Sequence, residues 1–463
     1  MFTLEEIVRA AKGRLVRAGA AKSGAAARIS GVSIDSRSVK PGEVFIAIRG
    51  DTFDGHDFIG RAQRAGASCV IVERGRGRKS LRGIPVVEVS DCAAALGDIA
   101  GFHRRRFSLP VIAVTGSNGK TTTKDMCAAA LSAGGIKALK TEGTKNNHIG
   151  VPLSLLKIGR SHQAAVIELG TNHFGEIGRL ADICSPTMAI ITSIGPSHLQ
   201  YFKTERRVLR EKMSLLKKLG GPCAVILNAD DPLLAKSAFA KSHKPFIMSI
   251  GINRACDFRA ARISALGKAR CEGIRFFVNG RPFVLNNPGY HNVYNALFAC
   301  AVSRVLGLSY RDIAAGLRGF VFPPGRLNIV KVGESTFIDD SYNSSPASLR
   351  EALRTLRGLR TRGDKIVVMG DMLELGAREK LLHYKAGMEA AGSCDKFIAV
   401  GALAVSALAA LRRAGFRRED LFSCGSSEEA REILAKNKLL KKDTIVLVKG
   451  SRRMKMERVF KDA

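Results

Sequence analysis

The apolar run LPVIAV leads directly into VTGSNGKTTTK, residues 114–124. No other segment constrains the chain as tightly, because it specifies a β-strand, a glycine-bent loop and a helix start in that order. Such a loop turns several backbone N–H groups toward one point, at a helix N-terminus whose dipole favours anions. Lys120 adds a full positive charge, and the hydroxyls of Thr121 and Thr122 are within reach of a magnesium ion. Gly116, Ser117, Asn118 and Gly119 supply the small, turn-forming backbone. This is the chemistry of a nucleotide triphosphate site. It departs from the standard P-loop, since the glycine expected five residues before Gly119 is Val114. A strand–turn–helix joint with a solvated lysine is the alternative on the residues alone. The loop is expected to face solvent.

The length of 463 residues corresponds to about three domains. A hydrophobic content of 46% supports several packed cores and excludes a mostly disordered chain. No apolar stretch approaches the ~18 residues of a membrane span. The first residues, MFTLEEIVRAAKGRL, read as an amphipathic helix with acidic residues in its first turn, not as a signal peptide. A cytoplasmic protein without a membrane span is expected. The ten cysteines are scattered singly, with no CxxC pair, so neither a zinc cluster nor a disulfide scaffold is indicated. The net charge of +33 raises a different class, a basic nucleic-acid-binding NTPase. The cations are spread along the chain, aromatic residues are 6% and tryptophan is absent, which leaves few stacking platforms. A basic solvated surface that suits polyanionic substrates, with no specific nucleic acid, is the reading preferred.

Residues 1 to about 100 alternate short signals. VSI, VFIAI and CVIVE read as strands and FIGRAQRAGA as a helix, with a turn at Lys40-Pro41-Gly42. From Leu109 the runs PVIAVTG, AAVIELG, MAIITSIG and PCAVILN suggest buried parallel strands in a helix-covered sheet. Short β-like pieces occupy 250–290, and a helix is expected over 291–306. Pro323-Pro324-Gly325 marks a boundary, after which STFIDDS, KIVVMGD, KFIAVGA and TIVLVKG resume a βα rhythm.

Glu168 ends one apolar run, and Pro196-Ser197-His198 follows another. Residues past the carboxyl ends of neighbouring parallel strands converge beside a phosphate loop, where a carboxylate and an imidazole can hold magnesium or position substrate. Asp339-Asp340-Ser341-Tyr342-Asn343 clusters polar groups at a further strand end, suited to ribose or phosphate or equally to a capped turn. Arg326, after the Pro-Pro-Gly hinge, can approach a phosphate from the other side.

These motifs, with KNNHIGVPLSLL, VIELGTNHFGEI, ITSIGPSHLQYF, YHNVYNALFA, PPGRL, VVMGDMLELG and VLVKGSRRMKME, run in order over nearly the whole chain. In this the chain resembles the Mur ligases of peptidoglycan synthesis. IDDSYNSSP with GDMLELG points to the branch that joins D-alanyl-D-alanine to UDP-N-acetylmuramoyl-tripeptide, and no DNPR motif of the diaminopimelate-adding branch is present. A tripeptide-forming ligase of the same family is the nearest alternative. The resemblance implies an α/β protein of three domains. These are a small UDP-substrate-binding domain (1–106), a central parallel-sheet ATP-binding domain (107–322) and a C-terminal Rossmann-like ligase domain (323–463). It implies ATP and Mg²⁺ as cofactors and a monomer in the cytoplasm. It also places Gly119, Lys120 and Thr121 on the ATP phosphates, with Thr121 on magnesium. Glu168 and His198 would serve magnesium, and Lys212 would be a carbamylated lysine holding a second ion. Asn295 and Arg326 would contact the nucleotide, with Asp340 on its ribose side. Ser36 and Arg37 fall in SIDSRSVKPGEVFIAIRG, similar to the family's UDP-binding region, and Asn146 and Asn147 match its substrate-facing asparagines. Thr144 replaces a usual asparagine, and Ser214 stands where an acid often follows the modified lysine.

Overall fold

A computed structural model describes residues 1–17, 28–76, 83–219, 223–238, 246–267, 269 and 271–460. Pro222, at the start of the PCAVILN run, and two positions of the 250–290 segment, 268 and 270, lie outside the described residues.

The N-terminal helix Leu4–Ala10 forms because Thr3 and Glu6 complete a capping box, each side chain meeting the other's backbone N–H. Behind it stands a five-stranded sheet in the order Arg14–Arg17, Val86–Val89, Cys69–Glu73, Glu43–Ile46 and Gly31–Ser33. Its strands are parallel except the first. The helix Cys92–Arg104 then carries the chain into the central unit. Its buried residues belong to one apolar core shared by the first sheet and the central helices Gly150–Leu155 and Glu176–Cys184. The first two units are therefore not separated by a solvated linker.

The central sheet has nine strands. From one edge, Ala138–Lys140, Ala164–Glu168, Val111–Thr115, Met188–Ile191, Ala224–Asn228, Phe246–Gly251 and Phe258–Leu266 run parallel. Gly273–Val278 and Arg281–Leu285 add an antiparallel extension. The strands Val111–Thr115, Ala164–Glu168 and Met188–Ile191 are buried at every position, which is why they read as continuous apolar runs rather than alternating ones. One face is covered by helices Lys120–Ala133 and His291–Val305, the second buried along most of its length.

After the Pro-Pro-Gly turn, a six-stranded sheet follows in the order Asn328–Val332, Ser335–Asp340, Ile445–Lys449, Lys365–Gly370, Lys396–Val400 and Leu421–Cys424. All pairs but the first are parallel, and apolar cores cover both faces. Among the described residues no helix is long and apolar enough to cross a membrane.

Candidate active site

The phosphate loop follows the strand Val111–Thr115 and opens the helix Lys120–Ala133. Gly116 and Gly119 have φ of +149° and +80°. A Cβ at Gly116 would lie 1.8 Å from Thr192 Oγ1, and one at Gly119 would lie 2.6 Å from Asn295 Oδ1. Both positions therefore need glycine for space as well as for conformation. Asn295 lies beneath the loop, 4% exposed, accepting from Thr123 Oγ1 at 3.0 Å and donating to Asn292. It braces the loop through Oδ1.

The expectation of a solvent-facing loop needs correction. Lys120 is half-buried and its Nζ folds back to donate to Gly116 O at 2.8 Å, while Thr121 and Thr122 are buried. The C-terminal unit covers the loop. Ser345 Oγ donates to Asn118 Oδ1 at 3.2 Å, and Tyr342 OH donates to Thr144 Oγ1 at 3.0 Å. Ser117 Oγ lies 3.1 Å from Ser197 Oγ. Burial lowers the Lys120 pKa, with the Glu168 carboxylate opposing and the Arg326 guanidinium adding to the effect. Arg326 itself lies over the Tyr342 ring at 4.0 Å. The Pro-Pro-Gly turn thus delivers an arginine within electrostatic reach of the phosphate-loop lysine.

Glu168 is 1% exposed. Its Oε1 accepts from Asn146 Nδ2 at 2.7 Å, but its buried Oε2 has no hydrogen-bond partner among the described residues. Lys124, missed in the sequence, is fully buried one turn beyond Lys120. Its Nζ donates to Thr141 O and Gly143 O at 2.8 and 2.9 Å and stands 4.0 Å from Glu168 Oε2. The i, i+4 spacing from Lys120 was the available signal. Asn147 Oδ1 accepts from Ile149 N at 3.2 Å and Gly150 N at 2.8 Å, at the entry to the helix Gly150–Leu155.

Lys212 is on the helix Glu205–Met213 and is 2% exposed, and among the described residues it forms no ion pair or side-chain hydrogen bond. Burial holds its pKa well below the usual lysine value. The Lys120 charge pushes it further down and Glu211 opposes. Lys212 and Lys120 therefore sense one another across the site. Glu211 fixes this placement, accepting from Gly175 N and Ile177 N at 2.8 Å each. His198, at φ +50°, joins the central and C-terminal units through Nδ1 to Glu374 Oε2 at 2.7 Å.

The remaining residues lie elsewhere. Asp340 is 8% exposed and its Oδ2 accepts from Lys449 Nζ, while burial raises its pKa against the pull of that lysine. The neighbouring Asp339 closes the turn, accepting from Gly325 N, Ser341 N and Ser341 Oγ. Ser36 is buried in the first unit. Arg37 is exposed and makes a two-pronged contact with Asp35, which lowers that carboxyl to about 2. No contact joins either residue to the phosphate loop.

A glycine-bent loop and a buried carboxylate oxygen with no hydrogen-bond partner among the described residues thus lie at neighbouring strand ends, with a buried lysine of the helix Glu205–Met213 in electrostatic reach of Lys120. Family models describe three stretches of the chain: the Mur ligase family catalytic domain over 28–104, the Mur ligase middle domain over 114–303 and the Mur ligase glutamate ligase domain over 325–452. The chain belongs to the Mur ligase family. The family's members are ATP-dependent amino-acid ligases, and the chain is an enzyme of that kind. It is 33% identical over 443 residues to the UDP-N-acetylmuramoyl-tripeptide–D-alanyl-D-alanine ligase of Bacillus subtilis, covering 94% of this chain and 93% of that one. To the Escherichia coli enzyme of the same name it is 34% identical, with 82% of each covered. A crystal structure of MurF from Acinetobacter baumannii superposes with a TM-score of 0.89 at 32% identity, covering 100% of this chain and 98% of that one. MurF from Thermotoga maritima in complex with ADP superposes at 0.81 and 27% identity, covering 94% and 97%.

Proposed function

We propose that this Mur ligase joins D-alanyl-D-alanine to UDP-N-acetylmuramoyl-tripeptide with ATP, through an acyl phosphate. The observation that carries this reading is likeness along almost the full chain to ligases of that name. The site fits the chemistry. A carboxylate is a poor acyl donor, so the tripeptide carboxylate oxygen attacks the γ-phosphorus and ADP leaves. The dipeptide amine then attacks the acyl carbon, loses a proton, and phosphate departs with the C–O bond.

Both steps bring anions together. Lys120 and Arg326 screen that repulsion at the phosphates, and Gly116, Ser117, Asn118, Gly119 and Thr122 offer the loop backbone and hydroxyls. Asn295 and Arg326 serve the nucleotide, with Asp340, held by Lys449, on its ribose side. Ser36 and Arg37 meet the uridine diphosphate end, and Asn146 and Asn147 the sugar-peptide. Magnesium fits the donor chemistry: Glu168 has a buried oxygen without a hydrogen-bond partner among the described residues, and Thr121, His198 and a carbamate on Lys212 would complete a sparse set of the kind Mg²⁺ takes alongside phosphates and water. Bound there, it would neutralise developing phosphate charge. Burial and the Lys120 charge hold the Lys212 pKa well below the usual lysine value, the direction that favours the uncharged amine a carbamate needs. Closure of the C-terminal unit over the loop excludes water that would hydrolyse the acyl phosphate.

ADP release measured with UDP-tripeptide plus D-alanyl-D-alanine tests the reading, against UDP-dipeptide plus free lysine or diaminopimelate. Turnover is expected only with the first pair, and turnover with the second moves the chain to the tripeptide-forming branch.

A further inference from the structure

The strand Ala138–Lys140 is three residues long and forms an edge of the central sheet. Residues 141–149, which follow it, are neither helix nor strand, yet they carry Asn146 and Asn147. Their path is set by ties to the neighbouring strand. Thr141 N donates to Val166 O at 3.1 Å, and Thr141 Oγ1 accepts from Glu168 N at 3.0 Å. Further along, Gly170 N donates to Asn146 O at 2.8 Å. Between these points the loop is held from a different element. Lys124, on the helix Lys120–Ala133, donates to Thr141 O and Gly143 O at 2.8 and 2.9 Å.

A fully buried lysine is rare, and hydrogen bonds from an ammonium are among the strong ones. Asp125 Oδ1 stands 3.4 Å from Lys124 Nζ, and Glu168 Oε2 stands 4.0 Å away, too far to accept a hydrogen bond. The ammonium thus binds the loop and answers Glu168 electrostatically while leaving that oxygen open. Lys120 lies one turn back on the same helix, about 6 Å by the helical rise, with its Nζ on Gly116 O in the phosphate loop. One helix therefore turns a lysine to each side: Lys120 to the phosphate loop, Lys124 to the loop of the asparagines.

We propose that Lys124 is a positioning residue that couples two substrate sites: it ties the 141–147 loop to the phosphate-loop helix, so that ATP and the UDP-sugar-peptide each bind more tightly when the other is present. The inference rests on the reading that Asn146 and Asn147 meet a UDP-sugar-peptide. A ligand that orders the helix start lowers the entropy the second ligand loses in ordering the loop. By linkage the gain is the same in both directions.

The test is calorimetric titration of UDP-tripeptide into the full-length enzyme with Mg²⁺, with and without a non-hydrolysable ATP analogue. Wild type should bind UDP-tripeptide at least fivefold tighter when the analogue is present. In Lys124→Met that factor should fall to within twofold of unity, while affinity for the analogue alone changes less than threefold. Lys124→Arg, which keeps a charged donor, should recover part of it. Hydrogen exchange of the wild type gives an arm that needs no variant: the analogue alone should slow exchange in residues 141–147. No coupling in the wild type, coupling that survives in Lys124→Met, or unchanged exchange in that loop would overturn the proposal. So would equal losses of both affinities with a lowered thermal midpoint, which would make Lys124 a purely structural tie. If the wild type binds no UDP-tripeptide under any of these conditions, the functional reading itself fails, before any variant is compared.

Discussion

Lys212 and Lys449 are equally buried, at 2% exposed each, yet their surroundings are opposite. Lys449 Nζ meets Asp340 Oδ2 and donates to Asn343 O at 3.0 Å, so its charge is answered within the protein. Lys212 has no such partner, and Lys120 repels it. The carboxylates differ in degree: Asp340 is closed by a hydrogen-bonded lysine, whereas Glu168 Oε2, 4.0 Å from Lys124 Nζ, has no hydrogen-bond partner among the described residues. Leaving a polar group buried without a partner costs folding free energy. That the chain does so at the end of the strand Ala164–Glu168 and on the helix Glu205–Met213 supports the proposal that these groups are held for a ligand. The Asp340–Lys449 pair ties the Ser335–Asp340 and Ile445–Lys449 strands, and that tie fixes the carboxylate proposed for the ribose side of the nucleotide.

Variants separate the two regions. Lys120→Ala should lower ADP release by two to three orders of magnitude through lost charge stabilisation at the phosphates, with the thermal midpoint nearly unchanged. Substantial turnover in that variant would break the distinction at its strongest point. Lys449→Met should behave in the opposite way. It strands a buried carboxylate and should cost about 3–5 kcal/mol in denaturant unfolding, most of it recovered when Asp340→Leu is added. Loss of activity without loss of stability would mean that the pair belongs to the chemistry.

A smaller effect tests the state of Lys212. Its folded pKa lies below the unfolded one, so between the two the unfolded chain binds more protons and stability rises with pH. In CO₂-free buffer, Lys212→Met should therefore be more stable than wild type at neutral pH. That gain should shrink as the pH climbs toward 10.5, the ordinary lysine value. A gain that is constant with pH would mean that the amine is charged in the fold. Smallest is Tyr342→Phe, which removes the hydroxyl bonded to Thr144. An effect of about 1 kcal/mol, a few-fold in kcat/KM, is expected.

The same contrast explains what the sequence could convey. The phosphate loop is contiguous, and its glycines and lysine carry their meaning locally. The long apolar strands announce themselves because they are buried on both faces. Val86–Val89, Ala138–Lys140 and Leu421–Cys424 are three or four residues long and too short to stand out. Partnership was invisible. Nothing near Asp340 in the chain points to Lys449, 109 residues away, and nothing near Thr144 points to Tyr342. Whether a strand-end acid is free or closed depends on which distant segment packs against it. The position where Thr144 departs from the family pattern proves to be a contact with the C-terminal unit.

The most direct test of the central claim, that the unpartnered lysine is kept for chemistry, is to equilibrate the active enzyme with ¹³C-bicarbonate and look for a protein-bound carbamate by NMR. The account predicts one labelled carbamate that disappears in Lys212→Ala together with activity, persists in Lys449→Ala, and is partly replaced in function by added short carboxylates. A fully active enzyme that takes up no label, or a label that survives Lys212→Ala, would contradict it.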